Sequence, residues 1–272
     1  MLNFYKYEGA GNDFIMINNL NGDINLTTAQ IKSICDRHFG VGADGIILLE
    51  KSDKADLSRR SETKADCFMN YYNADGSLAE MCGNGIRCTA KFYLSETNQN
   101  LNKLYIDTRA GIKEITINDD ETYSVGMGLP NFFYTDFPPH NMILENLELS
   151  FVSMGNPHAV TFVDDVKNFD VKTFGPKIEN NSNFPNKINV EFVEKVSDDY
   201  YKVRVWERGC GETLACGTGA CAVFGILDKS KDFNKEITLE FPGGKLYLSK
   251  NHEGHIILRG SAKFVFKGEI IL

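Results

Sequence analysis

The chain has 272 residues, enough for one large domain or two modest ones, each able to bury its own core. Hydrophobic residues make up 42% and charged residues 24%, as in an ordinary soluble globular protein. The net charge of −8 speaks against a broad nucleic-acid or anionic-membrane surface. No apolar run reaches membrane-spanning length, and the amino terminus lacks a basic region followed by an apolar one. The expectation is a cytoplasmic protein with no membrane or nucleic-acid partner.

In chain order, strand-like runs at 2–7 and 14–18 come first, rich in aromatic and β-branched residues and bounded by Gly, Asn or Asp. A helix follows at 28–38, behind hydroxyl capping candidates, with Ile31 and Ile34 turned towards a core. Residues 45–50 read as a strand, 51–66 as a charged exposed loop, and 67–73 as the next strand. A mostly apolar helix at about 84–95 precedes a strand at 104–108. Further strands are expected at 160–163, 187–193 and 200–207, then a second apolar helix at 217–228. Strands at 237–241 and 245–248 flank Pro242-Gly243-Gly244, a hairpin turn, and 255–258 and 263–267 close the pattern. Helices with so little polar face are expected to be buried among strands.

One internal echo organises these elements. Cys82-Gly83-Asn84-Gly85-Ile86-Arg87-Cys88 recurs as Cys216-Gly217-Thr218-Gly219-Ala220-Cys221, about half the chain away. Each copy follows a strand and turn and opens an apolar helix. The fold class expected is α+β, with two pseudo-symmetric halves, each a mixed, mostly antiparallel sheet wrapped around a central helix. A cysteine at a helix start lies beside unpaired N–H groups and the positive end of the helix dipole. That setting stabilises thiolate, lowering the thiol pKa from about 8.5 to roughly 3.5–7.5 in favourable cases. The glycines let backbone N–H groups approach an anion. Two such turns suit stereochemical inversion without a carrier: one thiol removes an α-proton and the other returns a proton to the opposite face. Helix-end N–H groups would stabilise the carboxylate as enolate-like charge builds. Cofactors are not required.

The seven cysteines are an odd number, which argues against a disulfide framework. Cys35, Cys67 and Cys221, with Cys88 and Cys210, read as packing residues rather than chemistry. Zinc binding by the cysteines at 82, 88, 210, 216 and 221 lacks the usual knuckle spacing, so no metal is expected. Gly83-Asn84-Gly85 lacks the rest of a nucleotide-loop fingerprint.

Together these motifs resemble the diaminopimelate epimerase family nearly end to end. The resemblance rests on residues 6–14, Lys-Tyr-Glu-Gly-Ala-Gly-Asn-Asp-Phe; on residues 73–77, Asn-Ala-Asp-Gly-Ser, leading to Met81-Cys82-Gly83-Asn84-Gly85; and on Gly155-Asn156-Pro157-His158. It continues in Asn189-Val190-Glu191-Phe192 and in residues 207–219. It implies interconversion of LL- and meso-2,6-diaminopimelate, in bacterial lysine and peptidoglycan precursor synthesis. It implies an N-terminal half of residues 1–118 plus 264–272 and a C-terminal half of residues 119–263, with the site in a cleft between them. Cys82 and Cys216 become the acid/base pair. Backbone N–H groups of Gly83, Asn84, Gly217 and Thr218 would hold the carboxylate at the reacting centre. Arg208 can fork onto the distal carboxylate, with Asn73, Asn156 and Asn189 adding hydrogen bonds. Glu207 can meet the distal ammonium, Asn12 would line the pocket, and His158 would support a catalytic thiol beside Glu207. A homodimer is left open.

The chain departs from the family pattern at Gly45 and in the length of its charged loop at 51–66, the latter with no bearing on catalysis. Some members carry a ligand-contacting glutamine after the Gly-x-Gly-x-Asp segment, where this chain has Gly45. The competing enzyme reading is a two-thiol proline or hydroxyproline racemase. Asn84, where those relatives carry His, and the charged pair Glu207-Arg208 favour diaminopimelate. A redox sensor or a non-catalytic binding protein on the same fold is the alternative of another class, and facing thiols would also predict reversible inactivation by oxidation.

Overall fold

The structure, a computed structural model, describes residues 1–52, 65–133, 135, 137–138 and 140–271. Most of the loop expected at 51–66 therefore lies outside the described residues. The chain divides into two compact units, one of residues 1–125 with 260–272 and one of residues 126–259.

The first unit contains β1 (Leu2–Gly9), β2 (Asn12–Asn18), α1 (Thr28–Cys35), β3 (Gly45–Glu50), β4 (Cys67–Asn73), α2 (Gly83–Thr97), β5 (Lys103–Asp107), β6 (Lys113–Ile117) and β7 (Thr122–Gly128, to residue 125). The sequence reading closed this half at 118. Asn118 instead begins a tight turn, its Nδ2 donating to the Thr122 carbonyl at 3.2 Å, and β7 folds back onto β6. Ladders β1/β2, β3/β4, β5/β6 and β6/β7 are antiparallel, whereas β2/β3 and β4/β5 are parallel. The final strand (Lys263–Ile270, β17) returns to pair antiparallel with β1.

Both faces of the central strands are covered, which explains their unbroken apolar runs. On one face, Ile31, Ile34 and Cys35 of α1 join Leu2, Phe4, Ile15, Ile17, Ile46 and Leu48. On the other, α2 packs against β1 to β5. There Gly85 allows close packing, because a Cβ would lie 3.0 Å from Met69 Cε and 3.1 Å from Ile47 Cδ1 and push those side chains aside. Thr27 and Gln30 form a reciprocal capping box at the start of α1, worth about 1 kcal/mol. The helix stops at Cys35 rather than 38 because Asp36 turns extended and Val41 and Gly42 donate to the Ile34 carbonyl.

The second unit repeats the plan with β8 (Met142–Leu144), β9 (Leu147–Ser153), β10 (Pro157–Phe162), α3 (Val171–Glu179), β11 (Asn189–Lys195), β12 (Tyr200–Glu207), β13 (Gly211–Thr213), α4 (Gly217–Lys231), β14 (Ile237–Phe241), β15 (Gly244–Lys250) and β16 (Ile256–Ser261, to residue 259). Its ladders run antiparallel for β9/β10, parallel for β10/β11, antiparallel for β11/β12, parallel for β12/β14 and antiparallel for β14/β15. That is the same alternation as β1 through β6. Helix α3 occupies the place of α1, and α4 the place of α2. The pseudo-symmetric α+β halves expected from the echo are thus present as topology. Helix α3 was not anticipated, although Asp170 caps it and Val171, Phe174 and Ile178 form its apolar stripe.

Candidate active site

Each Cys-Gly-x-Gly cysteine is the residue immediately before its helix. Cys82 (φ −136°, ψ 125°) and Cys216 (φ −123°, ψ 121°) are both extended, so each side chain turns back over the first helical turn. Cys82 Sγ accepts from the Gly85 N–H at 3.5 Å, and Cys216 Sγ accepts from the Gly219 N–H at 3.3 Å. A sulfur takes the place that Ser or Asp occupies at ordinary helix starts.

In the first unit, Asn12, Cys82 and the first turn of α2 come together. The Cys82 thiol donates to Asn12 Oδ1 at 3.4 Å, and Asn84 Nδ2 donates to the same oxygen at 3.4 Å. Asn12 Nδ2 donates to Asp44 Oδ2 at 2.5 Å, which fixes the amide's orientation. From the other side, fully buried Arg87 donates to Asn84 Oδ1 at 2.9 Å and to the Gly83 carbonyl at 2.9 Å. Gly9 makes room for this, since a Cβ there would lie 3.2 Å from the Asn84 carbonyl oxygen and 3.4 Å from Arg87 Nη2. Asn73 ends β4 and bonds Ser77 Oγ at 3.0 Å in its own turn. It is paired with Gly45, where a Cβ would meet the Tyr72 carbonyl oxygen at 2.4 Å and Tyr71 Cε2 at 2.6 Å. No side chain fits at position 45 without moving backbone, so the departure noted at Gly45 is built into the β3/β4 crossing.

In the second unit, Asn156, His158, Glu207, Cys216, Gly217 and Thr218 converge. Thr218 Oγ1 lies 3.4 Å from Cys216 Sγ and accepts from Asn156 Nδ2 at 3.3 Å. Asn156 Oδ1 is 3.0 Å from His158 Nε2, and His158 Nδ1 is 2.7 Å from Glu191 Oε1. Glu207 accepts from the Thr213 hydroxyl at 2.5 Å and is hydrogen-bonded to the Cys216 thiol. Asn189 is buried at the start of β11, donating to the Pro157 carbonyl at 2.8 Å and accepting from the Arg208 N–H at 2.9 Å. The Arg208 side chain is exposed and donates to the Asn186 carbonyl at 3.1 Å, away from this cluster.

Electrostatics at Cys216 differ from the sequence expectation. Burial pushes its thiol well above the ordinary value, and the Glu207 and Glu191 carboxylates push it further. Hydrogen bonds from Thr218 and the Gly219 N–H oppose this without overcoming it. The helix-end effect is present but outweighed, so Cys216 rests as a thiol. Glu207 is itself raised by burial, with hydrogen bonds from Thr213 and Cys216 pulling the other way.

Three neighbours of these residues went unassigned in the sequence reading: Asp44, Arg87 and Glu191. Glu191 had a signal. It is an acidic residue between Val190 and Phe192 in a strand whose first five residues are all buried.

The family model of diaminopimelate epimerase matches residues 4–133 and 150–265. Among curated relatives, the diaminopimelate epimerase of Gloeothece citriformis is 42% identical over 287 aligned positions, covering 98% of each chain. That of Teredinibacter turnerae is 39% identical, covering 100% of this chain and 99% of the relative. Among solved structures, a Bacillus anthracis phenazine biosynthesis protein of the PhzF family matches with a TM-score of 0.69 at 20% identity, over 100% of this chain and 99% of that one. A hydroxyproline epimerase from Agrobacterium vitis matches at 0.69 and 11% identity, over 98% and 91%. These two likenesses concern the fold alone. Identity near 40% across the whole length, with a family model matching most of the chain, settles the assignment: the chain belongs to the diaminopimelate epimerase family.

Proposed function

We propose that this isomerase interconverts LL- and meso-2,6-diaminopimelate by two-base proton transfer, with Cys82 and Cys216 as the acid/base pair. The observation that carries the reading is the duplicated thiol turn: in each unit a cysteine caps a buried helix whose first N–H groups belong to Gly83 and Asn84 or to Gly217 and Thr218. Two-base inversion requires both sulfurs to reach one carbon from opposite faces. One thiolate takes the α-proton and becomes a thiol; the electron pair passes into the adjacent carboxylate; the other thiol protonates the opposite face and becomes a thiolate. The helix-start N–H groups hold the carboxylate and stabilise the charge it gains.

The raised thiol of Cys216 suits it to the acid role in the resting enzyme, and its carboxylate neighbours discourage early loss of that proton. The roles exchange when the reaction runs in reverse. Asn12, Asn73, Asn156, Asn189, Glu207 and Arg208 are proposed to meet the substrate's remaining polar groups, with His158 in support. To fork onto a distal carboxylate, exposed Arg208 would exchange its bond to the Asn186 carbonyl for one to the substrate. The test is α-proton exchange in deuterated water with LL-diaminopimelate and with L-proline. Exchange and inversion with diaminopimelate are expected; exchange with proline alone would overturn the substrate assignment.

A further inference from the structure

A fully buried carboxylate in the second unit lies one step beyond the residues just assigned. Glu191 is fully buried in β11, and its Oε2 has no hydrogen-bond partner among the described residues. Its other oxygen lies against the first turn of α4, where a Cβ on Gly219 would come within 2.6 Å. The second glycine of Cys216-Gly217-Thr218-Gly219 therefore serves to admit this carboxylate. A buried carboxylate is costly unless it is paired and hydrogen-bonded, and among the described residues His158 alone offsets that cost, through one of the two oxygens.

What Glu191 controls follows from donors and acceptors. An ionised carboxylate only accepts, so His158 Nδ1 must carry a proton towards Glu191 Oε1. On the far side of the ring, Nε2 faces Asn156 Oδ1, because the Asn156 NH2 group is turned to Thr218 Oγ1. Thr218 Oγ1, already accepting from Asn156, has its own proton left for Cys216 Sγ. With the ring donating at both nitrogens, every bond in the chain points the same way and ends on sulfur. With a ring donating only at Nδ1, Asn156 would rotate to donate to Nε2 and offer its oxygen to Thr218. The hydroxyl would then turn from sulfur to that oxygen. The Thr218 hydroxyl therefore faces the sulfur while both ring nitrogens carry protons, and Glu191 holds the one on Nδ1.

We infer that Glu191 is a positioning residue for Cys216, acting through His158, Asn156 and Thr218 to keep a hydroxyl donor aimed at the sulfur. The inference rests on the proposed acid/base role of Cys216. The donor matters most when Cys216 has given its proton to substrate and carries negative charge, since a hydrogen bond to an ion is stronger than one to a thiol. The ionisable groups facing this chain are Glu191 on β11, Glu207 at the end of β12 and the Cys216 thiol itself.

Nitrogen-15 spectra of histidine-labelled full-length protein, with His158 assigned by its loss in H158Q, test the polarity directly. Two ring N–H groups on His158 are expected at the pH of assay; a single one would overturn the inference. Glu191→Gln keeps the shape but can present either N or O to the ring. Its kcat is expected to fall roughly 10- to 100-fold, with KM changing less. Thr218→Val should lose a similar factor, and the double variant should be little worse than Thr218→Val alone. Fully additive losses, or normal turnover in E191Q, would overturn the inference while leaving the thiol assignment intact. Normal turnover in C216A would instead overturn the underlying reading.

Discussion

Two glycines on one helix should respond oppositely to the same added methyl group. At Gly219 a Cβ would lie 2.6 Å from Glu191 Oε1, about 0.8 Å inside ordinary van der Waals contact. The carboxylate cannot swing away freely, because it is fully buried and bonded to His158 at 2.7 Å. Overpacking of this kind costs about 1–3 kcal/mol. At Gly225, also on α4, the new Cβ would meet Pro130 Cβ at 3.2 Å and Ile256 Cδ1 at 3.8 Å, contacts that small shifts absorb. Both substitutions gain up to about 1 kcal/mol of helix propensity, which largely cancels in the comparison. Urea unfolding should therefore place Gly219→Ala about 1–3 kcal/mol below Gly225→Ala. Turnover should drop in the first and hold in the second. A Gly219→Ala protein as stable as Gly225→Ala and equally active would refute the placement of Glu191 against α4.

Other perturbations test other parts of the account. Burial alone would raise Asp13, but hydrogen bonds from Arg37 and Lys6 outweigh it and bring the carboxyl down to about 2. A depressed carboxylate contributes stability that is present above its unfolded pKa and lost as pH falls through its folded one. Asp13→Asn should thus lose roughly 1–2 kcal/mol near pH 7, with the gap closing between about pH 4 and pH 2, as read by denaturant melts across pH. Removing the Glu207 charge takes away one of the influences raising Cys216, so Glu207→Gln should speed iodoacetamide alkylation of Cys216 at pH 8, followed by peptide mass spectrometry. Limiting maleimide on native protein should label exposed Cys210 well before Cys35, whose thiol burial pushes up to about 12, and before Cys67 and Cys88, also raised by burial.

Much of this architecture is legible in the residues, and the reasons are local. The Cys-Gly-x-Gly echo places a cap, a tight approach and a buried helix in six residues, and both copies fold that way. Unbroken apolar runs such as Gly45–Glu50 mark strands covered on both faces. Helix α3 escaped notice because Gly175 and Pro176 interrupt its pattern; Gly175 is there because a Cβ would collide with Trp206 Cγ at 2.5 Å. Side-chain partnerships were harder to read. That Asn12 is clamped by Asp44, or that Glu191 lies against Gly219, depends on pairings between residues distant in sequence. Which thiol is ionised at rest is not legible for the same reason: the helix start is visible in sequence, while the burial that raises Cys216, and the two carboxylates that add to it, depend on other strands.

The claim on which everything turns is that both thiols take part in a single inversion. Turnover of LL-diaminopimelate in deuterated water, followed by chiral chromatography and mass, should convert the wild-type protein's substrate towards the meso form with deuterium at the inverted carbon. Cys82→Ala and Cys216→Ala, each folded by circular dichroism, should fail to invert it. Inversion at a near-normal rate by either variant would contradict the two-thiol account.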